Sequence, residues 1–165
     1  MKIKVGKFDQ FFFDAEHGRI CNGEWALVLS GNIELSDKLL AGAIAAGRSF
    51  SSKGGNINFE AKIPDLTDIM EKGWGRERGE YVPADATGWS YSMGYRGVAV
   101  AEYRAESGET CYIRSDYSEI INSMYGTKLY ISKNNPEKTK AYFLDADEHV
   151  AGVFMPCSGP EVPHK

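Results

Sequence analysis

Apolar and polar positions alternate at the start of the chain, where Ile3, Val5 and Phe8 stand among Lys2, Lys4 and Lys7. A period of two predicts a half-exposed strand over 2–8. Phe11-Phe12-Phe13 opens a second strand, and Glu24 to Leu29 reads as a third. His17-Gly18 and Asn22-Gly23 supply the turns between them; Asn-Gly suits the positive backbone angles of tight hairpins. The opening third is therefore expected to be an antiparallel meander. The period then changes. Leu39, Leu40, Ala43, Ile44 and Ala46 recur at helical spacing behind Ser36, a good N-cap, and Asp37, whose carboxylate meets the positive end of the helix dipole. Gly47 terminates this helix. Ile57, Phe59, Ala61 and Ile63 alternate with Asn58, Glu60 and Lys62, which predicts a strand. Pro64 to Lys72 predicts a short helix with Leu66, Ile69 and Met70 on one face and Gly73 at its end.

Further strands are expected over about 96–105, Thr110–Arg114, Lys128–Ser132, Ala141–Leu144 and His149–Met155. A helix capped by Ser115 or Asp116 runs between them, with Ile120, Ile121 and Met124 inward and Gly126 closing it. Ser107-Gly108, Asn134-Asn135-Pro136 and Asp145 to Glu148 have turn chemistry. The expected fold class is α+β, mainly an antiparallel sheet of hairpins with two or three helices packed on it. One globular domain is expected over 1–157. Residues 158–165, at the end of a proline-containing stretch that starts at Pro156, are expected to form an extended or mobile tail.

The stretch from Gly73 to Tyr95 fits neither period. It holds five glycines and the aromatics Trp74, Tyr81, Trp89, Tyr91 and Tyr95, with Arg76, Arg78 and Arg96 among or beside them. It reads as a long loop, and long loops in compact domains are often functional. Trp, Tyr and Arg are the residues most enriched at binding hot spots. Folding back of these rings over the core is the competing reading.

Charge narrows the partners. The net charge is −4, against the basic face that coating duplex nucleic acid demands. Within the aromatic segment, Glu77, Glu80 and Asp85 outweigh Arg76 and Arg78, so a single-strand groove is also disfavoured. Three widely spaced cysteines, Cys21, Cys111 and Cys157, do not make a disulfide scaffold and point to a reducing compartment. The N-terminus lacks an apolar signal region, and the longest apolar-leaning run, Leu39 to Gly47, is far short of a membrane span. A cytoplasmic protein without a membrane anchor is expected.

Catalytic and cofactor signatures are weak throughout. Gly42 to Ser49 approaches the phosphate-loop pattern, but Arg48 replaces its lysine and the glycines lie in a predicted helix. Gly73, Gly75 and Gly79 miss the dinucleotide spacing. His17 with Cys21, His149 with Cys157, and Cys111 lack the close Cys-x-x-Cys pairs of structural zinc sites, and chance explains their presence as well as a Cys–His nucleophile pair does. Asp145, Asp147 and His149 alternate, yet the following positions fail the calcium-loop pattern and a solvated turn is expected. Asp65, Asp68, Glu71, Glu77, Glu80 and Asp85 surround the aromatic segment; paired carboxylates there would suit hydrolysis of a sugar. No catalytic residue, metal ligand or cofactor is assigned.

The expected function is non-enzymatic binding of another protein. Trp74, Arg76, Arg78, Tyr81, Trp89, Tyr91 and Tyr95 form the contact patch. In general character the chain looks like the small accessory proteins of phages and mobile elements, many of which inhibit a host or defence enzyme such as a CRISPR effector. The alternatives are a small carboxylate-based hydrolase or ligand-binding protein whose pocket the 73–95 segment covers, and a single-stranded nucleic-acid binder.

Overall fold

The computed structural model describes residues 2–3, 10–22, 25–28, 34–35, 38–53, 56–93, 98–123, 127–157 and 159–160. The chain divides into two compact units, Met1–Leu66 and Thr67–Lys165. Antiparallel strands dominate the described residues and three helices accompany them, a sheet-heavy form of α+β. No helix among the described residues is long and apolar enough to cross a membrane.

The first unit is the expected meander. Strands β2 (Phe11–Asp14), β3 (Arg19–Cys21) and β4 (Trp25–Val28) pair antiparallel in sequence, and β6 (Phe50–Lys53) and β7 (Asn56–Asn58) extend the sheet beyond β2. Two short strands, β1 (Lys2–Ile3) and β5 (Glu34–Leu35), pair parallel, and α1 (Lys38–Ala45) packs on β5. Alternation places Phe11 and Phe13 inward, where Phe13 meets Phe50 at 5.5 Å between ring centres. The near phosphate-loop sequence is the end of α1 and its Gly47 turn. The strand expected over 57–63 stops at Asn58, because the Asn58 side chain accepts the Glu60 N–H at 2.9 Å and turns the chain. The alternating run at 4–8, the Ser36 cap with Asp37, the Asn22-Gly23 turn and the ends of the Glu24–Leu29 strand lie wholly or partly outside the described residues.

The second unit opens on a helical segment. One π-helical turn (Asp68–Lys72) leads into α2 (Gly73–Glu77) and then a 3-10 turn (Arg78–Glu80). Six strands follow: β8 (Tyr81–Met93), β9 (Val98–Ala105), β10 (Thr110–Arg114), β11 (Lys128–Ser132), β12 (Ala141–Leu144) and β13 (Val150–Phe154), with α3 (Ser115–Ser123) between β10 and β11. Their order in the sheet is β10-β9-β8-β11-β12-β13, with every neighbouring pair antiparallel. Helix α3 packs on β9 and β10, and its Tyr117 ring reaches Phe154 on β13 at 6.1 Å. The strands thus curve around the helix. Just past β13, the Cys157 N–H donates to the Tyr112 carbonyl at 2.7 Å, an antiparallel bridge to β10. The two ends of the six-strand order meet, so this sheet is rolled.

Residues 73–95 are therefore not a loop. They are α2, a 3-10 turn and the longest strand of the described chain, with 94–97 outside the described residues. Gly73 does not end the preceding helix either; it sits buried inside the helical segment. The Met124 and Gly126 positions lie outside the described residues. The tail is partly described: Cys157 is held to β10, and Gly159 lies directly against the Tyr112 ring.

Candidate functional site

Strand alternation gives β8 two faces. Ala84 and Ala86 lie on the side of Tyr103, whose hydroxyl is 2.6 Å from Ser118 of α3. Tyr81, Pro83 and Asp85 lie on the other side, with Tyr130 and Tyr142 of β11 and β12. Helix α2 covers that second face. Trp74 packs its ring against Tyr81, Tyr130 and Tyr142 at 5.7, 5.2 and 5.1 Å, and Tyr81 meets Tyr142 at 5.0 Å. Such tilted and edge-on pairs suit the ring quadrupoles. The polar ends are satisfied: Tyr81 donates to the Lys140 carbonyl at 2.8 Å, and Tyr142 to Glu77 at 3.0 Å. Burial first, then the nearby Glu77 carboxylate, pushes both phenols well above the usual tyrosine range.

The expected contact residues fall in different surroundings. Tyr81 is buried in the packing and Trp74 is half-buried within it, because three tyrosines on adjacent strands form the seat for the indole. Arg76 and Arg78 are exposed on the helical segment, Arg76 bonded to Asp68 at 3.1 Å. Trp89 and Tyr91 lie far along β8, and Tyr95 lies outside the described residues. The seven residues do not share one loop.

Trp89 stands apart because β8 bulges beneath it. The register runs from Ala86 opposite Tyr103 to Ser90 opposite Ala101, so Thr87, Gly88 and Trp89 together face Glu102. Gly88 has φ +86°, a conformation that a side chain disfavours. The Thr87 hydroxyl donates to the Glu102 carbonyl at 3.4 Å and accepts the Trp89 N–H at 3.2 Å. The indole is left 48% exposed, while the strand below it is fixed.

Glu102 anchors that base. Its side chain is fully enclosed, a costly place for a carboxylate unless it is well partnered. Tyr91 donates to one carboxylate oxygen at 3.1 Å, and Arg104 to the other at 3.1 Å. The Tyr91 ring stands edge-on to Tyr112 at 6.0 Å, and burial, then the Glu102 charge, raises the Tyr112 phenol. Sequence reading missed Glu102, although a signal existed: it stands two residues after Val100, on the same face of the strand.

The chemical alternatives find less support in the geometry. Glu77 is engaged by Lys140 at 3.4 Å and by Tyr142, Asp68 by Arg76, and Asp85 by Lys128. An open cleft of about 190 Å³ lies among Ala84, Tyr103, Asn122, Lys128 and Leu129, below the roughly 300 Å³ at which ligand pockets begin. Cys111 is fully buried and its thiol is pushed up to about 12 by burial, the reverse of an activated nucleophile. The Asp145, Asp147 and His149 trio is a hairpin turn in which Asp145 accepts the N–H groups of Asp147 and His149, both at 2.9 Å. A matching turn joins Asp14, Glu16 and His17. Neither cluster includes a cysteine. The chain matches no family model, and neither a curated protein nor a solved structure stands out as similar to it, so its function is read from its own geometry.

Proposed function

We propose that the chain is a non-enzymatic protein-binding module that holds its partner through the outward face around Trp89. One observation carries this reading: a tryptophan 48% exposed on a bulge whose Thr87 hydroxyl is bonded to the backbone carbonyl of Glu102, a residue whose own carboxylate is enclosed and partnered. Large rings presented from a rigid base contribute apolar contact at low entropic cost, and such residues dominate binding energy. Tyr91 supports the base, and exposed Arg76 and Arg78 offer further donors on the helical segment. A net charge of −4 suits a partner with a basic face. Within the same proposal, that partner is a host or defence enzyme whose surface the module occupies.

Affinity capture from the native host, run with the unaltered chain and with Trp89→Ala side by side, tests this. The expected result is a protein retained by the former and lost by the latter, while both give the same circular dichroism and unfolding midpoint. Equal recovery by both chains would overturn the assignment to Trp89.

A further inference from the structure

Past β13 the chain runs on to β10 and lies on the ring of Tyr112. Two holds keep it there. The Cys157 N–H donates to the Tyr112 carbonyl at 2.7 Å. Gly159 lies so close to the Tyr112 ring that a β-carbon at 159 would overlap three of its carbons. An isolated bridge carries far less ladder than the β9–β10 pairing beside it, so the segment can lift without unpairing a strand.

What lies beneath it leads to Trp89. Tyr112 is buried and stands directly opposite Glu102 in the β9–β10 register. Its ring meets Tyr91 edge-on at 6.0 Å, and Tyr91 donates to the Glu102 carboxylate at 3.1 Å. The backbone carbonyl of the same Glu102 accepts the Thr87 hydroxyl at 3.4 Å, and that hydroxyl accepts the Trp89 N–H at 3.2 Å. The contacts from Gly159 to Trp89 are continuous. Close-packed groups pass displacement to their neighbours, so a Tyr112 ring that tilts draws Tyr91 off its acceptor. The enclosed carboxylate then loses a donor, which is costly.

We infer that Cys157 and Gly159 fasten a C-terminal strap that regulates the Trp89 face. Seated, the strap pins Tyr112 and, through Tyr91 and Glu102, holds the bulge under Trp89 rigid. Lifted, it frees Tyr112 and the bulge loosens. As regulation of binding this rests on the reading of Trp89 given above: a ring ordered in advance binds at lower entropic cost, so lifting the strap weakens the grip.

Amide hydrogen exchange of the full chain, followed by NMR, tests this. Gly159→Ala forces the strap off the Tyr112 ring. Cys157→Pro removes the donor of the bridge, with Cys157→Ala as the comparison that keeps the N–H. Gly159→Ala against the unaltered chain, and Cys157→Pro against Cys157→Ala, are each expected to speed exchange of the Trp89 amide about tenfold or more, while the amides of β11 and β12 keep their rates. A Trp89 amide that keeps its rate in either comparison, or that speeds up only in step with β11 and β12, would overturn the inference; the strap would then close the sheet and do nothing further. Exchange needs no partner, so this failure leaves Trp89-dependent capture standing. Capture that ignores Trp89→Ala overturns the proposed function instead, and the exchange result still decides the coupling.

Discussion

Gly73 and Tyr142 fit together without room for one more carbon: a β-carbon at Gly73 would lie 2.7 Å from the Tyr142 hydroxyl oxygen. Two effects oppose each other in Gly73→Ala. Alanine favours the helix by about 1 kcal/mol, while overpacking costs about 1–3 kcal/mol. The hydroxyl is fixed by Glu77 at 3.0 Å and cannot swing aside cheaply. Net destabilisation is expected in urea unfolding. In a Tyr142→Phe background the penalty of Gly73→Ala shrinks, and an unchanged penalty there would show that the clash lies elsewhere.

The two described tryptophans of the second unit separate packing from display. Trp74→Ala removes a ring seated on three tyrosines and is expected to cost about 3 kcal/mol. Trp89→Ala removes an outward ring and is expected to change stability by less than about 0.5 kcal/mol. Urea midpoints of the two variants decide this directly; equal losses would mean that Trp89 is also a packing residue.

Tyr91→Phe deletes a hydrogen bond to an enclosed carboxylate. Its expected cost is about 1.5 kcal/mol, typical when a charged acceptor loses a donor. With Glu102→Gln already present the same substitution costs less, because the acceptor is neutral. A double-mutant cycle measures that coupling, and additive losses would argue against the pairing.

His17 carries the clearest pH signature. Its hydrogen bond to Asp14, 2.7 Å long, raises its titration above the ordinary 6.5, with the Asp14 charge acting in the same direction and desolvation opposing. A folded-state value raised above the unfolded one stabilises fully below about 6.5 and is lost as pH rises through the folded midpoint. The His17 ring resonance, followed by NMR, is expected to titrate above 6.5, and Asp14→Asn to bring it down. A midpoint at or below 6.5 in the unaltered chain would contradict the bond.

Elements bounded by strong turn chemistry were legible in the sequence. Thr110–Arg114, Lys128–Ser132 and Ala141–Leu144 form strands where their patterns and flanking turns put them. The 73–95 segment was misread because its alternation is one of size rather than polarity. Val82, Ala84, Ala86, Gly88, Ser90 and Ser92 are small or modest, and Tyr81, Pro83, Asp85, Thr87, Trp89 and Tyr91 between them are larger. Ala84, on the side of Tyr103, is buried, and a larger side chain has no space there. Hydropathy does not register that constraint. Burial of Tyr81 was invisible for a related reason: its seat is built from Tyr130 and Tyr142, about 50 and 60 residues away, and only the strand register brings them together.

The bridge from Cys157 to Tyr112 also sets a timetable. During synthesis the first three strands and α3 emerge well before the segment that fastens the roll, about 45 residues after Tyr112. Because such distant closures are slow, the ribosome must release nearly all of the described chain before the second unit can lock. Until then the flank of β10 that Cys157 occupies stays open, and nascent chains are most prone to pair wrongly in that interval.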